Sequence, residues 1–315
     1  MSDSPPLLAL PSAAVARPTV IAIGNFDGVH RGHQALLTEA VRMAAELGAT
    51  PYALTFDPHP IAVLTGKSVT ALTTLERRAS LVVAAGVRGL LVQRFDDAFS
   101  RLSPETFFES LLVGDLAAAG VVVGSDFRFG RGRVGDSATL ERLGAGCGVR
   151  VRPVGIVEDD GGPVGSRRIR QALAAGDVRT ARELLGRPHV VAGLVERGEQ
   201  RGRTIGFPTA NVARGSVQVP ASGVYAAYVV CDPLGPGSHL AVVNVGERPT
   251  LNDGRGLTVE AHVLGENADL YGHTMEVAFL ERLRDERRFS GLLELKAAIE
   301  ADCDAARSLA SGAGS

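Results

Sequence analysis

No apolar run in this 315-residue chain approaches the ~18 residues of a membrane-crossing helix, which argues against an integral membrane protein of the helical kind. The three cysteines, Cys147, Cys231 and Cys303, stand singly. That scatter excludes a zinc-ligand spacing and a close-set disulfide framework, and makes a reducing cytoplasm the expected compartment. Lysine is nearly missing: Lys67 and Lys296 stand among 33 basic residues, the rest being arginine, which with the many alanines and glycines reads as coding bias, though arginine also suits phosphate binding. Nor is there a basic excess. A formal net charge of -2 excludes a global field that would draw the chain to nucleic acid or a membrane surface. Residues 1–18 carry Pro5, Pro6 and Pro11 and no basic leading stretch, so they read as a flexible tail rather than a signal peptide.

What remains is ordinary globular material, 45% apolar and 22% charged, and enough for two domains of roughly 100 to 200 residues each. In the first half, β-branched runs at 20–23, 52–56, 89–93, 121–124 and 149–154 alternate with helix-period segments at 34–47, 74–85 and 104–112. This alternation predicts a doubly wound parallel sheet, with ligands beyond the carboxyl ends of its strands. The second half changes to short strands broken by glycine and proline, the texture of a small antiparallel β-barrel. Gly186-Arg187-Pro188 marks the boundary, giving domains at 19–186 and 187–310. An amphipathic helix at about 290–309, apolar at Leu292, Leu295, Ala298 and Ile299, is expected to pack on the barrel.

The chemistry-bearing stretch is Gly24-Asn25-Phe26-Asp27-Gly28-Val29-His30-Arg31-Gly32-His33, set between an apolar strand and an amphipathic helix. A glycine-punctuated turn into a helix N-terminus presents backbone N–H groups to a phosphate. His30 and His33, one turn apart, fall on one side of that helix mouth. Next comes Asp57-Pro58-His59-Pro60, where two prolines predict an extended loop projecting beside the phosphate turn. Residues 121–124 lead into Ser125-Asp126-Phe127-Arg128-Phe129-Gly130-Arg131-Gly132-Arg133, which joins aromatic and cationic side chains in one loop. Gly165-Ser166-Arg167-Arg168-Ile169-Arg170 predicts a helix with a serine N-cap and arginines in its first turn, suited to a polyphosphate.

In the second half, Gly202-Arg203-Thr204-Ile205-Gly206-Phe207-Pro208-Thr209-Ala210-Asn211 combines a glycine loop with Thr209 and Asn211, oxygen donors suited to a hard cation that bridges phosphates. Residues 259–264 alternate as a strand and place Glu260 on the face of His262, away from the apolar side chains.

Together these motifs, over about 290 residues, resemble the bacterial bifunctional riboflavin kinase/FAD synthetases. The first half resembles the His-x-Gly-His nucleotidyltransferases. The resemblance implies that riboflavin and ATP give FMN, and FMN and ATP give FAD and pyrophosphate, both with Mg2+, with small-molecule substrates as the partners. It implies ATP contacts from Gly24, Asn25, Phe26, Asp27, Gly28, His30, His33, Ser166 and Arg170 in adenylyl transfer, and flavin contacts from Asp57, His59, Asp126 and Phe127. For the kinase it implies nucleotide contacts from Gly202, Gly206, Phe207, Pro208, Thr209 and Asn211. Thr209 and Asn211 would organise the metal, Glu260 would serve as base, and Arg284, Glu286 and Phe289 would lie beside riboflavin. The family's Ser-Ser-Thr-x-x-Arg element departs here to Gly165-Ser166-Arg167-Arg168-Ile169-Arg170. That departure leaves open a kinase with a diverged N-terminal module. A flavin-binding regulator without turnover is opposed by the intact Thr209, Asn211 and Glu260 set.

Overall fold

The computed structural model describes residues 7–10, 14–197, 206–247 and 257–312. The chain divides into two compact units, Met1–Ser166 and Arg167–Ser315.

The first unit is built on a six-stranded, all-parallel sheet in the order β1-β4-β3-β2-β5-β8. Its strands are β1 (Leu7–Ala9), β2 (Thr19–Ile23), β3 (Thr50–Asp57), β4 (Leu90–Arg94), β5 (Ala118–Gly124) and β8 (Arg150–Val154). The hairpin β6 (Arg128–Phe129) and β7 (Gly135–Asp136) follows β5, and β9 (Glu158–Asp159) pairs with β10 (Gly162–Pro163). Every residue of β2 is buried, because helices cover both faces of the sheet. Ile21 and Ile23 join Leu54, Val121 and Val123 in one core, while Val20 and Ala22 join Ala53, Val122 and the helix residues Leu37 and Met43 in the other. Helix α1 (Arg31–Leu47) lies close to the sheet at Gly120, where a Cβ would stand 2.5 Å from Met43 Sδ.

Three expectations for this unit are corrected. Residues 7–9 do not belong to a loose tail: Leu7–Ala9 adds an edge strand parallel to β4, opposite Leu90, Leu91 and Val92. The Asp57–Pro60 segment is not an extended loop throughout. Pro60 begins the short helix α2 (Pro60–Thr65), whose N-cap is His59, since proline's fixed φ and missing N–H suit a first helical position. The helix expected at 104–112 is a short α-turn, Pro104–Thr106, continuing as the π-helix Phe107–Asp115.

The second unit is a closed barrel in the order β11-β12-β15-β14-β13-β16, antiparallel throughout. Its strands are β11 (His189–Glu196), β12 (Ala210–Val212), β13 (Gly223–Val230), β14 (His239–Glu247), β15 (Leu257–Val263) and β16 (Thr274–Arg284). Valines and alanines such as Val243, Val245, Val259 and Ala261 alternate into the core. The helices between 167 and 186, read from sequence with the first domain, group with the barrel. Val178, Ala181, Leu184 and Leu185 of helix Val178–Leu185 are buried, and that helix meets β16 and β11.

The C-terminal helix Leu292–Gly312 packs on β13 and β14, through Ala298 and Ile299 of the expected stripe and through residues farther along the helix in place of Leu292. Leu292 and Leu293 are exposed, whereas Ala298, Cys303 and Ala306 are buried, the last two in a cluster with Val224, Ala226 and Val242. Small side chains make this seam because the helix must approach two strands at once.

Candidate functional sites

Strand β2 pairs with β3 on one side and with β5, which returns from farther along the chain, on the other. That is a topological switch point, where the loops after β2 and β5 leave the carboxyl edge side by side. The loop after β2 is residues 24–30. Gly28 takes φ +85°, and two buried non-glycine residues, Phe26 (+48°) and Val29 (+40°), are also left-handed. His30 is the N-cap of α1: its Nδ1 accepts from the His33 N–H at 3.3 Å. In a neutral His30 ring the proton therefore sits on Nε2, which makes Nε2 the donor. The two imidazoles stack with centroids 3.6 Å apart, and His33 lies 5.1 Å from the Phe26 ring. A Cβ at Gly32 would stand 3.2 Å from the His30 ring, so glycine leaves room for the pair.

Within this loop the sequence-named residues divide. His30 and His33 come together. The Phe26 side chain is core, and the Asp27 carboxylate is turned inward and fully engaged. It accepts from Leu72 N–H (2.9 Å), Thr73 N–H (3.2 Å) and Arg78 Nη2 (3.3 Å). Asn25 contributes its carbonyl to Thr55 Oγ1 and Arg78 Nη1, and Gly28 donates its N–H to Thr73 Oγ1 at 3.1 Å. Ser166, the first residue of helix Ser166–Ala174, donates its hydroxyl to the Asp27 carbonyl at 2.9 Å. Arg170 follows one turn later, half-buried, with its carbonyl accepting from Gln218 Nε2.

Asp57 is exposed at the end of β3. The His59 ring caps α2, its Nδ1 accepting from Ile61 N–H at 3.2 Å. After β5, residues 124–127 form a turn closed by Phe127 N–H to the Gly124 carbonyl, with Asp126 exposed. Phe127 stacks on the buried Phe129 at 5.6 Å, and the side chains of Arg128, Arg131 and Arg133 are exposed beside them.

In the barrel, register assembles what spacing could not. Glu260 on β15 stands directly opposite Asn211 on β12 and opposite Asn244 on β14. All three alternate away from the buried Ala210, Val243, Val245, Val259 and Ala261, forming one polar row across three strands. Thr209, two residues before Asn211, is half-buried and borders a cavity of about 400 Å³, also lined by Arg197, Glu266, Asp269 and Tyr271. Arg197 lies 5.4 Å over the Tyr271 ring. Phe207 packs edge-on to His262 at 5.4 Å, and the Pro208 carbonyl meets His262 Nδ1 at 2.8 Å. Gly206 takes φ +91°, while Gly202 lies outside the described residues.

At the other end of the row, Glu286 accepts from Ser222 Oγ at 2.9 Å and lies 3.5 Å from Asn244 Nδ2. A Cβ at Gly246 would stand 2.4 Å from Glu286 Oε1. Arg284, expected beside riboflavin, forms an ion pair with Asp302 of the C-terminal helix. Its Nε lies 2.9 Å from Oδ1 and its Nη2 2.8 Å from Oδ2, a forked pair, and Phe289 covers the guanidinium at 5.6 Å. Asn244, Ser222 and the cavity residues were missed. Alternation along β14 would have put Asn244 on a polar face, but nothing local places it beside Glu260.

A doubly wound sheet with a histidine pair at a helix N-terminus, followed by a closed barrel with a carboxylate flanked by two amides, defines a two-unit protein of the nucleotidyltransferase-plus-barrel class. Family models for FAD synthetase and for riboflavin kinase match residues 12–168 and 185–310. A bifunctional riboflavin kinase/FMN adenylyltransferase of Pseudomonas fluorescens is 41% identical over 294 residues, covering 93% of this chain and 94% of that one. Its counterpart in Escherichia coli K12 is 38% identical over 292 residues, covering 92% of each. The chain belongs to the bifunctional riboflavin kinase/FMN adenylyltransferase family. A solved structure described as a macrolide-efflux protein from Streptococcus pneumoniae is 30% identical, with a TM-score of 0.87 over 96% of this chain and 98% of that one. Among the described residues no helix is long and apolar enough to cross a membrane.

Proposed function

We propose that this chain phosphorylates riboflavin with ATP to FMN and ADP in the barrel unit, then adenylylates FMN with a second ATP to FAD and pyrophosphate in the α/β unit. Glu260 takes the proton of the ribityl 5′-hydroxyl as its oxygen bonds to the γ-phosphorus and the bond to the β-phosphate oxygen breaks. The observation that carries the kinase half is the Asn211–Glu260–Asn244 row, which holds one carboxylate between two amides on the outward face of the barrel wall.

The donor set near Thr209 fits Mg2+ bound largely through substrate phosphates. A hydroxyl, an amide oxygen and one carboxylate are hard donors too few to enclose the ion, and among the described residues no group of three His, Cys, Asp or Glu could hold a metal. When bound, the ion neutralises phosphate charge; Thr209 and Asn211 orient it.

In the α/β unit the FMN phosphate oxygen attacks the α-phosphorus of ATP and pyrophosphate leaves. The stacked His30 and His33, with the N–H groups at the start of α1, stabilise charge on the transferring and departing phosphates. Asp126 and Phe127, on the loop neighbouring that site, contact the flavin. A cytoplasmic location agrees with three unpaired cysteines and with substrates that are intracellular cofactors.

The test is chromatographic. Purified chain with ATP and Mg2+ receives riboflavin in one tube and FMN in another, and flavins are separated over time. FAD in both, with FMN appearing first from riboflavin, is the expected outcome. FMN from riboflavin and no FAD from FMN would leave a kinase alone.

A further inference from the structure

Arg78 is absent from every motif that marks the two sites, yet it is the most heavily engaged cation beneath the phosphate loop. It lies on α3 (Leu75–Ala84), and its side chain is 8% exposed. Nη1 donates to the Asn25 carbonyl at 3.0 Å and reaches Thr55 Oγ1 at 3.4 Å; Nη2 reaches Asp27 Oδ1 at 3.3 Å and the Thr73 carbonyl at 3.4 Å. One guanidinium thus ties α3, the end of β3 and two residues of the loop.

Two physical consequences follow. In a trans peptide the C=O and N–H point opposite ways, so holding the Asn25 carbonyl on the α3 side directs the Phe26 N–H to the other side. The left-handed, buried Phe26 and Val29 are strained and persist only where surrounding contacts over-determine them. The second consequence is electrostatic. Asp27 is a buried carboxylate in the loop that faces a polyphosphate, and Arg78 supplies the charge that offsets it.

We propose that Arg78 is a positioning residue for adenylyl transfer, holding the Asn25 carbonyl and the Asp27 carboxylate so that the loop's peptide planes and the His30–His33 pair are set before ATP arrives. The proposal rests on the adenylyltransferase reading of the α/β unit.

The experiment uses the full chain, with Arg78→Met and Arg78→Lys assayed well below their melting transitions. FAD formation from supplied FMN is measured against FMN formation from riboflavin in the same preparations. Arg78→Met is expected to lower kcat/KM for ATP in FAD formation by about 10²-fold, the cost of small misplacements of catalytic groups. FMN formation and KM for FMN stay unchanged. Arg78→Lys recovers part of the loss, because an ammonium replaces the charge but cannot span both acceptors. Wild-type kcat/KM for ATP in Arg78→Met, measured on folded protein, overturns the proposal. If Arg78→Met does not fold, Arg78→Lys decides: reduced FAD turnover with an unchanged melting temperature supports positioning, and reduced melting with unchanged turnover overturns it. A wild-type chain that makes FMN but no FAD defeats the reading of the unit itself, a result separable from any Arg78 variant.

Discussion

Glu260 and Asp27 are both carboxylates inside recognisable motifs, and their surroundings differ. Glu260 is half-buried on the outward face of β15, opposite the amides of Asn211 and Asn244. Glu260→Gln is expected to reduce FMN formation by at least about 10²-fold, the usual contribution of a positioned base, while FAD formation from supplied FMN is retained. Flavin chromatography on the one variant reads both. Its position was legible because period-2 alternation alone puts residue 260 opposite in sense to Val259 and Ala261. Asp27 was named among the nucleotide contacts, and the partners of its carboxylate lie 45 to 51 residues away, where no local signal records them. The cysteines divide similarly. Burial pushes the Cys231 and Cys303 thiols up, and Cys147 is exposed. An aromatic disulfide reagent at neutral pH should therefore titrate one thiol in the native chain and three after denaturation. Rapid reaction of two or more native thiols would contradict the buried placements.

At the scale of elements, local rules predicted the helices after His30 and Thr74 but not the one that His59 caps, although each cap is adjacent in sequence to its helix. The C-terminal helix was legible as a helix, and its stripe only in part: Ala298 and Ile299 pack on the barrel as expected, but Leu292 is 68% exposed while Ala306 is fully buried. The reason is Asp302, which reads as a solvent residue in the helical pattern but is 6% exposed because Arg284, 18 residues earlier, forks onto it. Asp302→Ala leaves that guanidinium without its carboxylate. It should destabilise the barrel unit by about 3 kcal/mol, the lower end of the range for breaking a buried pair because the Arg284 side chain is 23% exposed. Denaturant unfolding measures it, and a change below about 0.5 kcal/mol, the level of ordinary surface substitutions, would show the pair to be incidental.

For the whole molecule the two-unit division has a consequence for fragments. Helix Val178–Leu185 buries Val178, Leu184 and Leu185, each worth about 1.5 to 3 kcal/mol when fully buried. A fragment of residues 167–315 is expected to melt cooperatively and to form FMN, whereas 188–315 lacks that helix and should melt at lower temperature or not fold. Equal melting of the two fragments would place the boundary at 186 after all. Chelation tests the metal at the same scale. Excess chelator should abolish both flavin reactions while leaving far-UV circular dichroism unchanged, because among the described residues no metal cluster ties the fold together.

The sequence by itself determined the two architectures, five strands of the first sheet and the helices after His30 and Thr74, and named His30, His33, Thr209, Asn211 and Glu260 as candidates. All of these rest on local periodicity, on turn residues or on contiguous motifs. Only the tertiary structure decided that residues 7–9 close the sheet edge, that Asn244 completes the row with Glu260, and that Arg78 holds the phosphate loop. Each of those depends on a pairing between segments distant in the chain, where cross-strand register or a buried charge selects the partner and no spacing along the sequence records it.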